Sequence, residues 1–367
     1  MNAILKNKGC NNKQIIIILS TLLPGGAERT IVTLANSMAK EYRVSLAVVR
    51  RIGSLESELS DAVRLVDLGG RLKWFFTFPL LVRRLKPKVV LSTLWDVNLW
   101  VLSLSWIYPI GTKVVVRDAV MPRPVLNNTK FPKVVTFFYR FLYVRAEAVI
   151  ALSESMKSEI RLITYLPEDK VVVIRNALNH RYIDISKSDI TIGSQPYLIA
   201  VGRLERQKGF DVLIRVFSRI RAIYPDYQLW ILGEGGQRIE LARLIKQLSL
   251  SDVAQLPGYI NNPFPLIANA RMLILSSHYE GLPNAVIEAL CLGTPVLGSI
   301  KNTGVEEIIK HGVNGFLIDK SNDKSLLMGL CEALENIDKL DRKAIAARAR
   351  SSFSIDRMLE DYKNVLI

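Results

Sequence analysis

Two glutamates, Glu280 and Glu288, stand eight positions apart in HYEGLPNAVIEAL, residues 278–290. A Gly-Leu-Pro turn lies between them, and an apolar run at helical spacing follows. Pro283 suits a first helical turn. The amides of Gly281, Leu282 and Asn284 then fall at a helix N-terminus, where an anion is welcome. A carboxylate there repels phosphate, so the glutamates need a different partner. Sugar hydroxyls are one, because an ionised carboxylate accepts several hydrogen bonds. A sugar nucleotide carries both kinds of group: an anionic diphosphate flanked by two hydroxyl-rich rings. Taken alone, the same stretch is also a helix with a favourable acid near its start.

Cations for a diphosphate stand in VGRLERQKGFDVLI. A strand pattern ends at Gly202, and Arg203, Lys208 and the helix-opening Gly209 follow. Arg offers a fork of donors and Lys a point charge; the other reading is a pair of solvated charges. A third piece is LLPGGAERTIVTLA, where Gly25 and Gly26 separate a strand from a helix and let the backbone approach a ligand. It is not G-x-G-x-x-G, so no dinucleotide fingerprint is present. The three cysteines and three histidines form no zinc spacing, and three cysteines make no disulfide framework, which fits a reducing compartment.

These residues require strand ends to position them. The first half alternates β-branched runs (QIIIILS, RVSLAVVR, KVVLST, TKVVVRD, EAVIALS, KVVVIRN) with helical patterns. After the polar stretch HRYIDISKSDITIGSQP the alternation restarts with YLIAVGRL, YQLWILGEG, VAQLPGYI, RMLILSS, PVLGS and GFLID. Strands alternating with helices predict parallel sheets in two α/β domains. The domain limits read as 1–180, a linker at 181–196, 197–350, and a terminal helix at 351–367. The basic, apolar start resembles a signal peptide, but no A-x-A site follows and an amphipathic helix does, so Gln14 to Ser20 reads as a buried first strand. No charge-free apolar run reaches a spanning length of roughly 18 residues.

The net charge of +15 is unevenly placed. Residues 1–185 hold 27 Lys and Arg against 14 Asp and Glu, and residues 186–367 hold 22 against 20. The segments GGRLKWFFTFPLLVRRLKPK and KFPKVVTFFYRFLYVR mix cations with aromatics. Such a mix suits an anionic membrane surface. Trp74 and the neighbouring phenylalanines are candidates for insertion. No nucleic-acid motif is present.

Together these pieces resemble the retaining glycosyltransferases of family 4, which have the GT-B fold of two facing Rossmann-like domains with a catalytic cleft between them. The likeness covers nearly the whole chain. It is strongest from VGRLERQKG through LGEGGQR and LPGYINNP to SSHYEGLPNAVIEALCLGTPVLGS and HGVNGFLID. Glu280 and Glu288 match the family's E-x7-E element. The resemblance implies a nucleotide-sugar donor, with Glu280 on the transferred sugar and Glu288 on the ribose; a UDP-linked donor is expected, with GDP the alternative. It implies Arg203 and Lys208 on the diphosphate, Gly25 and Gly26 meeting it from the other domain, and Gly258, Tyr259 and Ile260 near the base. Gly281, Leu282, Pro283 and Asn284 complete the expected donor contacts, and retention of configuration is expected.

One position departs from the commoner pattern. Where many members carry a histidine, the first domain's central strand ends VVVRDAVMPRP. This resembles the Ser-Glu-Arg-Asn segment of members acting on bacterial polysaccharide and glycan-lipid intermediates. Arg117 is then expected on donor or acceptor and Asp118 as a catalytic group orienting the acceptor hydroxyl. Alternatively, the two are an ion pair that fixes the loop. The chain contains no D-x-D. Neither a metal nor a cofactor is therefore expected, and charge stabilisation falls to Arg203, Lys208 and the helix N-terminus. The expected partners are a nucleotide sugar, a lipid-linked or saccharide acceptor and an anionic membrane, without nucleic acid. The expected place is the inner face of the cell membrane, in the cytoplasm. Epimerisation, phosphorolysis and non-catalytic sugar-nucleotide binding are the alternatives on the same fold.

Overall fold

A computed structural model describes residues 11–70, 72–178, 193–300, 304–319 and 322–367. The chain divides into two compact units, Met1–Arg175 with Asp356–Ile367, and Asn176–Ile355. Arg71 and residues 181–192 of the expected linker lie outside the described residues.

The first unit carries β1 (Asn11–Leu19), α1 (Gly26–Met38), β2 (Tyr42–Val48), β3 (Arg64–Asp67), α2 (Trp74–Leu85), β4 (Val89–Thr93), α3 (Trp95–Ser103), β5 (Lys113–Arg117), α4 (Pro122–Asn127), α5 (Pro132–Tyr143), β6 (Ala148–Ala151), α6 (Glu154–Thr164) and β7 (Val171–Val173). Its strands form one parallel sheet in the order β3-β2-β1-β4-β5-β6-β7. Ile15, Ile16, Ile17 and Ile18 of β1 have no solvent exposure. A continuous apolar run of this kind belongs to a central parallel strand covered on both faces. The start of the described chain is thus a core strand.

The second unit carries β8 (Tyr197–Val201), α7 (Phe210–Ile223), β9 (Gln228–Leu232), α8 (Arg238–Gln247), β10 (Ala254–Gly258), α9 (Phe264–Asn269), β11 (Met272–Leu275), α10 (Asn284–Cys291), β12 (Val296–Ser299), β13 (Gly315–Ile318), α11 (Asp323–Asn336) and α12 (Arg342–Ser352). Its parallel sheet runs β10-β9-β8-β11-β12-β13. Its core packs α7 and α11 over these strands, with Leu213, Phe217, Leu326 and Leu330 fully buried. The last helix, α13 (Ile355–Leu366), belongs from Asp356 onward to the first unit. There it buries Met358, Tyr362 and Leu366, and Lys363 pairs with Glu41 at 2.6 Å. Both units are Rossmann-like.

Two elements differ from the sequence reading. β3 was not expected: it is a four-residue edge strand, RLVD, with no fully buried position, so it carries no alternation to detect. The aromatic segment at 74–78 is the start of α2. Trp74 and Phe78 are buried, Phe75 is half-buried and Phe76 is exposed. Trp74 is therefore core and unavailable for membrane insertion. Among the described residues, no helix is long and apolar enough to cross a membrane.

Candidate functional site

In the second unit the strand order turns back at β8. β9 and β10 extend the sheet on one side, and β11, β12 and β13 on the other. In open parallel sheets, ligands bind beyond the carboxyl ends of strands at such a switch point. The loops leaving β8 and β11, residues 202–209 and 276–283, carry Arg203, Lys208 and Glu280. They are fastened to each other. Ser276 Oγ donates to the Lys208 carbonyl at 2.8 Å, Gln207 Nε2 donates to the Tyr279 carbonyl at 2.9 Å, and the His278 amide donates to the Gln207 carbonyl at 2.8 Å. Gly209 caps α7 at φ +61°, and a Cβ there would lie 2.4 Å from the Ser276 carbonyl oxygen. Only glycine fits both demands.

This fastening brings two predicted residues together. Lys208 Nζ pairs with Glu280 Oε1 at 2.5 Å, and Ser277 Oγ donates to the same oxygen at 2.7 Å. Glu280 is only 6% exposed. A carboxylate so sheltered from water needs a cation and hydrogen bonds, and it has both. Arg203 stands exposed on the same loop as Lys208. Gly281, Leu282 and Pro283 are buried and lead into α10. Asn176 holds that turn, with Nδ2 2.6 Å from Asn284 Oδ1 and 3.4 Å from the Leu282 carbonyl. Glu288 is half-buried in the second turn of α10. Gly258 ends β10, and Tyr259 and Ile260 follow it, exposed and half-buried respectively.

In the first unit, Gly25 caps α1 and Gly26 begins it, just past the end of β1. The sheet turns back between β1 and β4, so this loop also occupies a switch point. A Cβ on Gly25 would meet only the carboxylate end of the flexible Glu28 side chain, and its φ of −139° is open to any residue. Arg117 and Asp118 at the end of β5 are 0% and 2% exposed. Arg117 Nη1 donates to Thr93 Oγ1 at 3.1 Å. The buried Tyr362 of α13 lies near the same guanidinium: burial raises its phenol pKa and Arg117 lowers it. Asp118 Oδ1 accepts from Tyr143 Oη at 2.8 Å and Asn98 Nδ2 at 3.1 Å, and Oδ2 accepts from Tyr139 Oη. Burial pushes this carboxyl up to about 6, and the tyrosine and asparagine donors and Arg117 pull it back. Its oxygens are engaged within the first unit, where they tie the end of β5 to α5. Arg117 acts on Asp118 electrostatically beside these hydroxyls and the amide.

Residues 24–182 match the family model described as Glycosyltransferase Family 4, and residues 183–351 match the one described as Glycosyl transferases group 1. This chain is a family 4 glycosyltransferase. It is 25% identical over 348 residues, 91% of this chain and 93% of the relative, to a Campylobacter jejuni enzyme. That relative is named N-acetylgalactosamine-N,N'-diacetylbacillosaminyl-diphospho-undecaprenol 4-alpha-N-acetylgalactosaminyltransferase. It is also 26% identical, over 96% of this chain and 98% of the relative, to a second C. jejuni protein. That one is named GalNAc-alpha-(1->4)-GalNAc-alpha-(1->3)-diNAcBac-PP-undecaprenol alpha-1,4-N-acetyl-D-galactosaminyltransferase. Among solved structures, sucrose-phosphate synthase from Thermosynechococcus elongatus matches with a TM-score of 0.81 at 16% identity, covering 96% of this chain and 98% of that one. Two further relatives are named as a lipopolysaccharide core biosynthesis glycosyltransferase of Rhizobium meliloti and an amylovoran biosynthesis glycosyltransferase of Erwinia amylovora.

Several residues that shape the glycosyltransferase's site were missed in the sequence. Ser276, Ser277, Gln207 and Asn176 set the geometry of Lys208, Glu280 and Asn284. The pair Ser276-Ser277 at the end of β11 was the available signal. Asn176 lies 108 positions from Asn284 and gave none. A cavity of about 540 Å³ in the second unit is lined by Arg206, Asp211, Glu240, Arg243 and His278 among others, and it includes none of the predicted donor-contacting side chains.

Proposed function

We propose that the glycosyltransferase moves a hexose or N-acetylhexosamine from a UDP-linked donor, with retention and without a metal ion, to a lipid-diphosphate-linked or saccharide acceptor. The Lys208–Glu280–Ser277 cluster at the β8/β11 switch point carries this reading. An ammonium has three N–H donors and can hold a phosphate oxygen while still bonded to Glu280. Lys208 and Ser277 both donate to Glu280 Oε1, which leaves Oε2 for hydroxyls of the transferred sugar. Arg203 and the amides opening α10 add positive potential for the diphosphate. Glu288, further along α10, serves the ribose. Tyr259 with Ile260 flanks the base.

In the reaction, the bond from the anomeric carbon to the diphosphate oxygen breaks and a bond to the acceptor oxygen forms on the same face. The acceptor's hydroxyl proton passes to the departing phosphate oxygen. Lys208, Arg203 and the helix N-terminus stabilise the charge that develops there. Asp118 acts as a positioning residue for the end of β5 and for Arg117. The names of the two C. jejuni relatives, both acting on undecaprenyl-diphosphate saccharides, support a lipid-linked acceptor. Such an acceptor places the enzyme peripherally on the inner membrane face.

Incubation with a panel of UDP- and GDP-sugars and lipid-linked acceptors, followed by mass spectrometry and anomeric NMR of the product, tests this. A glycolipid with the donor's configuration is expected. An inverted product, or donor hydrolysis with no transfer to any acceptor, would overturn it.

A further inference from the structure

The first unit carries an apolar surface whose position on the fold points to its occupant. α5 has two faces. The inner one buries Tyr139, Leu142 and Tyr143, and both tyrosine hydroxyls are tied to Asp118. The outer one presents Val134, Phe137, Phe138, Phe141 and Val144, each 47–61% exposed. These positions recur every three to four residues, so they form one stripe. Phe137 and Phe141 stack a turn apart, with ring centroids at 6.1 Å. Phe131, just before the helix, extends the stripe. Side chains of this size in water mark an interaction surface when they are contiguous.

The charges carried by α5 and the residues flanking it have one sign. Lys130, Lys133, Arg140 and Arg145 are exposed, and no Asp or Glu occurs from residue 119 to residue 146. α3 packs against α5, and Trp100 of α3 meets Phe75 of α2 at 3.9 Å, so α2 belongs to the same helical layer. α2 adds the exposed Phe76, Leu80, Arg83 and Arg84; the sequence from residue 68 to residue 95 holds no acid, and the exposed Asp96 follows at the start of α3. A second copy docking isologously would bring these like charges together. An anionic bilayer offers what the surface lacks: headgroup charge for the cations and an interfacial apolar zone for the aromatics. A helix of 12 residues is about 18 Å long, too short to span and suited to lying in the headgroup plane.

We propose that the outer face of α5, with the exposed face of α2 beside it, is the surface that seats the enzyme on an anionic bilayer. The proposal rests on the reading of a lipid-linked acceptor and names the element that would bring the enzyme to it. α5 is already folded and fixed through Tyr139 and Tyr143 to the end of β5. Docking therefore needs no coil-to-helix transition.

The test is co-sedimentation of the full chain with phosphatidylcholine vesicles, with and without phosphatidylglycerol. Wild type is expected on the anionic vesicles only, with binding falling as salt rises. Lys130→Gln/Lys133→Gln/Arg145→Gln is expected to weaken it by on the order of 100-fold, from about fivefold per cation. Phe137→Ser/Phe138→Ser/Phe141→Ser is expected to weaken it about tenfold or more. Far-UV circular dichroism of the wild type should not change on binding, and unfolding midpoints of both variants should match wild type. Wild-type vesicle binding that survives both variants, or no binding at low salt, would overturn the proposal. So would sedimentation velocity showing that the phenylalanine variant dissolves a dimer. Transfer to a detergent-solubilised lipid acceptor without vesicle binding would refute the docking surface alone. Vesicle binding without transfer to any lipid acceptor would refute the acceptor reading alone.

Discussion

Replacing Asp118 by Asn isolates the energetics of the buried cluster beneath α5. The carboxyl is 2% exposed, and its pKa is pushed from an ordinary 3.8 to about 6, chiefly by burial, against the donors Tyr139, Tyr143 and Asn98. Above pH 6 the folded protein holds a costly buried charge. Between about 4 and 6 the folded state keeps a proton that the unfolded state has lost. This group's stabilising proton is thus fully in place below the unfolded pKa and is lost as pH rises through the folded one. At about 1.4 kcal/mol per tenfold change in proton affinity, the rise from 3.8 to about 6 makes the full span about 3 kcal/mol. Between pH 4.5 and 7.5 about 2 kcal/mol of it falls within reach. Asn keeps an acceptor for Tyr143 and Asn98 but does not titrate. The stability of Asp118→Asn relative to wild type should therefore rise by about 2 kcal/mol from pH 4.5 to 7.5, whatever its offset. Other titrating groups cancel in the difference. Four of the five tryptophans (Trp74, Trp95, Trp100 and Trp106) lie in the first unit, so urea unfolding followed by tryptophan fluorescence reports mainly on it. A difference that stays flat across this range would refute the reasoning, because it would mean that Asp118 titrates alike in both states.

The two glutamates should separate by kinetics. Glu280→Ala should lower turnover by about 10²–10³ with donor affinity nearly kept, whereas Glu288→Ala should weaken UDP binding in a calorimetric titration; equal effects on both readouts would remove the assigned roles. Transfer should persist in EDTA, and complete loss restored by Mg²⁺ or Mn²⁺ would reveal a metal requirement. Gly209→Ala forces an L-residue into φ +61° and a Cβ against the Ser276 carbonyl. It should cost at least ~2 kcal/mol in denaturant unfolding and misplace Lys208, so an unchanged midpoint with full activity would contradict the fastening of the two loops.

The sequence by itself determined the class of fold and the glycosyltransferase family. Four consecutive isoleucines in β1 and the alternation of β-branched runs with helical stripes are local patterns, and burial selects them locally. Glu280, Arg203 and Lys208 stand out as candidates because they fall at predicted strand or helix ends, and Glu288 because it follows Glu280 by eight positions into the helix. The tertiary structure decided what these residues touch. Lys208 meets Glu280 across 72 positions only because β8 and β11 are neighbours in register, so their loops can be fastened together. Asp118 finds Tyr139 and Tyr143, 21 and 25 positions away, because α5 returns over the end of β5. The same holds for the aromatics. Trp74 and Phe78 turn into the core while Phe76 and the Phe137–Phe141 stripe face outward. Composition gives those residues equal standing, and the face a helix shows to solvent is set by what it packs against. Adjacency between distant strands and the outward face of a helix are properties of the packed sheet, and no local window of sequence contains them.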